Sequence, residues 1–196
     1  MKVKSNKLKT KDLIVAGAFA ALYVVVLMLS VSLMGITPIT YLIAPLVISI
    51  VLGPIYILYV TKIPKTGAII ILSALVGLLT SMGGMWLALV WSLALGVAAE
   101  LIVRAGKYRS KKLYLLSFCV FACANMGPFW AIVLAKPAFL ASCESYYGVE
   151  YALRIDAFTP GWIILVLIGL ALVGGLIGGV FGMKLMKKHF EKAEVV

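Results

Sequence analysis

Residues 13–34 read LIVAGAFAALYVVVLMLSVSLM, Leu13 to Met34, with no charged side chain among them and Asp12 just before. The apolar core of a secretory signal runs to about 15 residues at most. This run is longer, so it reads as a spanning helix and not as a cleavable leader. Its first half departs from an ordinary lipid-facing surface. Ala16 and Ala20 stand four apart, and so do Gly17 and Ala21. That spacing stacks each pair on one helix face, one turn apart. The smooth surface so formed calls for a partner, either another helix of the chain or another protein.

The remaining sequence repeats the apolar pattern five times. Ile39–Val60 is interrupted by Pro45 and Pro54, and Thr66–Thr80 is short, about 22 Å at 1.5 Å per residue. A span that short must extend into its flanks, tilt, or sit where the bilayer is thin. Gly84–Val103, Leu113–Ala135 and Gly161–Met183 complete six spans. The 196 residues are 64% hydrophobic, with a mean hydropathy of +1.13, against roughly 45–50% apolar in soluble domains. The expected fold is an all-α, polytopic membrane protein forming one six-helix domain.

The charges orient it. All but two of the 18 Lys and Arg fall in the basic tail 1–11, the second and fourth connections, and the C-terminal tail 184–196. The exceptions are Lys136 and Arg154. By the positive-inside rule both termini are cytoplasmic. The net charge of +11 therefore reflects topology and anionic lipid, not nucleic acid.

The same inventory argues against catalysis. The single histidine, His189, lies in the C-terminal tail, out of reach of any serine deep in a helix. No pair of acids lies mid-membrane. Glu100, one turn before Arg104, reads as half of a helix-surface ion pair. No Walker A motif is present, and the three cysteines, Cys119, Cys123 and Cys143, fit neither a zinc site nor a disulfide framework. A non-enzymatic binding subunit, powered by another protein, is what remains.

Chemistry-bearing residues gather on the outer side. Asn125 opens NMGPFW halfway along the fifth span, and Pro128 frees a carbonyl near Ala124. This segment reads either as cavity lining or as a kinked helix with an interhelical Asn bond. Met82, Met85, Trp86 and Trp91 open the fourth span, and with Asn125 they sketch a flat aromatic pocket. Trp162 reads as part of an interfacial belt. Lys136 is placed to meet an anionic group or to snorkel to headgroups. The connection 136–160 holds Tyr146, Tyr147 and Tyr151, and is long enough for a lid. On the cytoplasmic side, Gly174, Gly178 and Gly182 repeat every four residues, as do Gly175 and Gly179. They could pack on the small face of the first span.

The lysine-rich tail, KDLIVAGAFAALY (Lys11–Tyr23), the proline-bearing second span, the short third span, the long fifth connection and the basic end of the sixth together resemble the S components of energy-coupling factor (ECF) transporters. The narrower resemblance, over essentially the whole chain, is to the Trep_Strep or MptD-like family. The resemblance implies a subunit that captures a vitamin or other micronutrient outside. It would dock on a transmembrane T component carrying two ATPase subunits and topple in the membrane. The chain itself would bind no cofactor, ATP being used by the partners. The Ala-x-x-x-Ala signature, here Ala16 and Ala20, would make the docking contacts, with Gly17 and Ala21 beside them. The pocket would draw on Trp86, Trp91, Asn125, Trp130, Lys136, Tyr146 and Tyr147. The substrate stays open between a flat ring compound, a haem or corrinoid, a cation facing Glu144, Glu150 and Asp156, and an anion facing Lys136. A self-contained carrier or channel and a non-transport scaffold are the alternatives.

Overall fold

The computed structural model describes residues 8–82 and 85–190, with the side chains of residues 189 and 190 left aside. Lys2, Lys4, Lys7, Gly83, Gly84, Lys192 and the side chain of His189 lie outside the described residues. The described chain is helical, with no strand. Its helices are α1 (Thr10–Met34), α2 (Pro38–Lys62), α3 (Ala68–Ser81), α4 (Leu87–Ala105), α5 (Lys111–Ala122), α6 (Ala131–Leu134), α7 (Lys136–Tyr147), α8 (Val149–Phe158) and α9 (Ile163–Phe190). A 3-10 segment, Cys123–Trp130, joins α5 to α6 into one crossing. Five crossings are long and apolar enough to span a bilayer, and α3 is a shorter sixth.

Local chemistry sets the breaks. Thr37 caps α2, its hydroxyl accepting from the Thr40 amide at 3.2 Å, and Pro38 takes the first helical position, where a missing N–H costs nothing. Pro45 and Pro54 sit inside α2 without ending it. Gly67, at φ +96°, supplies the left-handed turn before α3.

Glycines decide how the crossings pack. Gly174, Gly178 and Gly182 of α9 lie on α2, against Leu46, Ser49 and Pro54 respectively. A Cβ at Gly178 would come within 2.8 Å of the Ile50 Cα and collide with the Ser49 carbonyl. Gly175 and Gly179 face α5 instead, where a Cβ at Gly175 would lie 3.1 Å from the Cys119 Cα. So the two glycine rows of α9 serve α2 and α5, and not the small face of α1. Tyr23, Tyr56, Tyr59, Phe118 and Phe121 fill the centre, all fully buried. Their hydroxyls find partners: Tyr56 meets Ser117 at 2.6 Å, and the Ser117 hydroxyl donates to the Ala99 carbonyl at 2.9 Å.

Contacts gather the basic connections at one end. Lys65 pairs with Asp12, and the Thr61 hydroxyl meets Met186. Glu100 departs from the expected pairing with Arg104. It is 3% exposed and turned inward, while Arg104 faces out. One carboxylate oxygen accepts the Ile69 amide at 3.0 Å, and the other accepts the Tyr108 hydroxyl. The reason is that the first amides of α3 have no partner within their own helix, and a carboxylate there satisfies one and complements the helix dipole. Tyr108 reaches this site from a turn in which Lys107 and Tyr108 adopt φ of 50° and 54°, an uncommon conformation for such residues. Burial, and then the Glu100 bond, push its phenol up to about 12, so it remains a donor.

Candidate functional site

The opposite end of the bundle is hollow. An inner lobe of about 320 Å³ lies between α1, α2, α3 and the 3-10 segment, lined by Leu27, Tyr41, Ala44, Ile48, Thr80, Asn125 and Phe129 among others. An outer lobe of about 470 Å³ adjoins it, between the start of α4, the 3-10 segment with α6, and α7. Tyr41, Thr80 and Pro128 line both lobes and mark the junction. The start of α2, the end of α3 and the far part of the fifth crossing all belong to the side away from the basic residues. The cavity therefore sits in the outer half.

Pro128 and Gly127 explain why the fifth crossing leaves α geometry here. Proline withholds a donor, and Gly127 lies so close to Ala88 of α4 that a Cβ there would come 2.9 Å from the Ala88 Cα. The 3-10 turn points Asn125 and Phe129 inward. Asn125 is 8% exposed, and its side-chain amide donates to the Tyr23 hydroxyl at 3.0 Å. Both sequence readings of Asn125 thus hold at once, since it bonds another helix and lines the inner lobe. The ring of Tyr41 lies 5.0 Å from that of Phe129 and 5.9 Å from that of Phe139, giving the junction an aromatic wall.

The connection 136–160 is a helical hairpin, α7–α8, turning at Gly148 with φ +90°. It has a small core of its own, Cys143, Tyr151, Ala152 and Ile155, packed on Tyr41, Phe139 and Leu140. The Tyr151 hydroxyl donates to the Gly35 carbonyl in the α1–α2 turn at 3.1 Å, and Tyr147 stacks on Tyr151 at 4.6 Å. Burial pushes the Tyr151 phenol up to about 12 and the Cys143 thiol upward, so both stay neutral. Phe139 and Ser142 of α7 line the outer lobe, so the hairpin covers it.

The residues singled out from sequence divide. Asn125 lines the inner lobe and Trp86 the outer, the latter 73% exposed at the rim. Trp91 and Trp130 line neither. They pack edge to face at 5.0 Å, and the Trp91 indole donates to the Cys123 carbonyl at 2.8 Å. The Trp130 indole nitrogen is buried with no partner among the described residues. Lys136 does not await an anion. It pairs with Asp156 at 2.7 Å and donates to the Thr159 carbonyl at 2.8 Å, closing the base of the hairpin. Tyr146 is 82% exposed and Tyr147 belongs to the hairpin stack. On α1, Ala16 and Ala20 are 1% and 0% exposed, in the core stripe they share with Tyr23 and Leu27. They are already taken by the chain's own packing, and the outward small face is that of Gly17, Ala18 and Ala21. Phe129, within the segment read as cavity lining, does line the inner lobe, whereas sequence reasoning missed Tyr41 and Thr80 as lining and Tyr23 as the Asn125 partner.

A family model described as "Hypothetical bacterial integral membrane protein (Trep_Strep)" matches residues 10–192. No curated protein and no solved structure matches the chain. The family match runs from the first turn of α1 to beyond the end of α9, across every crossing described above, and with it the chain belongs to the Trep_Strep family of integral membrane proteins, as a multi-pass protein of a bacterial cell membrane.

Proposed function

We propose that the protein is the substrate-capturing S component of an ECF-type importer. It takes a vitamin or other micronutrient from outside and delivers it inward when docked on a T component with two ATPase subunits. The observation that carries this reading is the cavity in the outer half, lidded by α7–α8 and backed by a filled cytoplasmic half. A closed-off base suits a subunit that captures without conducting. The outward small face at Gly17, Ala18 and Ala21 lies in the cytoplasmic half of α1, away from the cavity, where a partner could seat without blocking entry. With no chain motif for ATP hydrolysis, the energy comes from the partner subunits.

Reconstitution tests the reading. The protein should co-purify with a T component and two ATPases and support ATP-dependent uptake with them. Gly17→Trp with Ala21→Trp should abolish that uptake while the variant still folds and binds substrate. Uptake by the protein alone in liposomes would point instead to a self-contained carrier, and undiminished uptake by the double variant would remove this face of α1 from docking.

A further inference from the structure

We infer that the two-lobed cavity takes an uncharged molecule with a flat apolar body, lying along Tyr41 and hydrogen-bonded at the junction of the lobes. The inference rests on the substrate-capture reading and specifies its ligand. Among the described residues that line either lobe there is no Lys, Arg, His, Asp or Glu. Of the charges at this end, Lys136 pairs with Asp156 and Arg154 with Glu150 at 2.6 Å, while Glu144 is exposed on the hairpin and lines neither lobe. A carboxylate or an ammonium entering such a site would give up its hydration for a wall with no opposite charge, at a cost far above that of a neutral polar group.

The polar side chains among the described lining residues are neutral. Tyr41 lines both lobes, and its hydroxyl, on the side of the hairpin core, makes no hydrogen bond among the described residues. Thr80 donates its hydroxyl to the Val76 carbonyl at 2.8 Å, which leaves its oxygen free to accept. Asn125 uses one amide hydrogen on Tyr23, and the other remains. Together they offer donors and an acceptor to a hydroxyl, carbonyl or amide of the ligand. The rings of Tyr41, Phe129 and Phe139 give a flat apolar body a surface shared by both lobes. The lobe volumes fall in the range of about 300–1,000 Å³ found for small-molecule sites.

The probe is the water-soluble metabolite pool of yeast extract, divided by ion exchange at pH 7 into neutral, anionic and cationic fractions. Each fraction is applied to the full chain in nanodiscs. Retained molecules are identified by mass spectrometry, and the unfolding temperature is followed in parallel. The neutral fraction should be retained and should raise the unfolding temperature by a few degrees, while the two charged fractions do neither. Tyr41→Phe should weaken retention about fivefold, and Asn125→Leu about tenfold or more, as expected for one lost hydrogen bond and for one that leaves a partner unsatisfied. Glu144→Gln, on the exposed face of the hairpin, should change nothing. If Asn125→Leu fails to fold, Tyr41→Phe carries the test. Retention confined to a charged fraction would overturn the uncharged class while leaving substrate capture standing. Retention of no fraction, or of nanodisc phospholipid alone, would overturn both.

Discussion

The two ends of this bundle are built from similar apolar residues and differ in what they leave empty. At the cytoplasmic end, glycines bring α9 onto α2 and α5 at backbone contact, and a buried carboxylate ties the start of α3 to α4 and the turn after it. At the outer end, the fifth crossing departs from α geometry and leaves space against Tyr41 and Asn125. Small residues close one end and a proline opens the other. Rigidity and cavity are therefore separate properties of separate halves, and substitutions should respect the division.

The largest effect should come from the packed end. Gly178→Leu places a side chain against the backbone of Ser49 and Ile50, which cannot rotate aside. Overpacking of this kind costs about 3 kcal/mol or more, and the variant should be lost from the folded fraction in detergent size-exclusion chromatography. A folded Gly178→Leu would break the contrast between the ends.

Glu100→Ala comes next. It strands the Ile69 amide and the Tyr108 hydroxyl in a buried site, for about 2–3 kcal/mol in reversible unfolding. Glu100→Gln keeps an acceptor and should lose about half as much. Equal losses would show that charge at the helix start, and not hydrogen bonding, is what matters.

Tyr23→Phe removes the hydroxyl that anchors Asn125, at about 1 kcal/mol. Its stability loss should be smaller than that of Glu100→Ala, although both residues are buried, because the Asn125 amide can turn to the cavity.

Lys136→Ala should change global stability least, by under about 1 kcal/mol, since the pair with Asp156 is partly exposed. Its effect should appear instead in the hairpin. Cys143 is 7% exposed with its thiol pushed up by burial, so it should react slowly with maleimide, and Lys136→Ala should speed that reaction several-fold. The Tyr151 contact with Gly35 should respond to pH in one direction. Its phenol, raised from about 10 in the unfolded chain to about 12, contributes fully below pH 10 and is lost as pH rises through 12. Cys143 protection measured at pH 7 and at pH 9 should therefore differ only through the thiolate fraction.

The five long apolar helices, the shorter α3 and the break at Pro128 were legible because hydropathy and proline act locally. Asn125 was legible because an amide at that depth must have a partner. The rotation of α1 was not, since Ala16/Ala20 and Gly17/Ala21 share the same spacing. A signal was nonetheless present: Ala16, Ala20, Tyr23 and Leu27 continue one stripe, and Tyr23 carries the polar tip that a core position would hold. Trp91 and Trp130 drew attention as large rings, yet rings also pack on each other, and only three-dimensional proximity separates the two uses. Tyr41 and Thr80 offered no spacing motif, because they meet across different helices. The length of 136–160 allowed a lid, but nothing in it foretold two helices held by contacts with Tyr41 and Gly35.

The bond between Tyr23 and Asn125 also has a consequence for how the protein is made. It joins residues 102 apart in the chain. At about 5–20 residues per second, the ribosome reaches Asn125 some 5–20 seconds after Tyr23. Through that interval the first helix waits in the membrane with a phenol hydroxyl still to be satisfied by its final partner. Closure of the outer half is thus a late event in biogenesis, and a chain stalled before the fifth crossing would present an open bundle to the insertion and quality-control machinery.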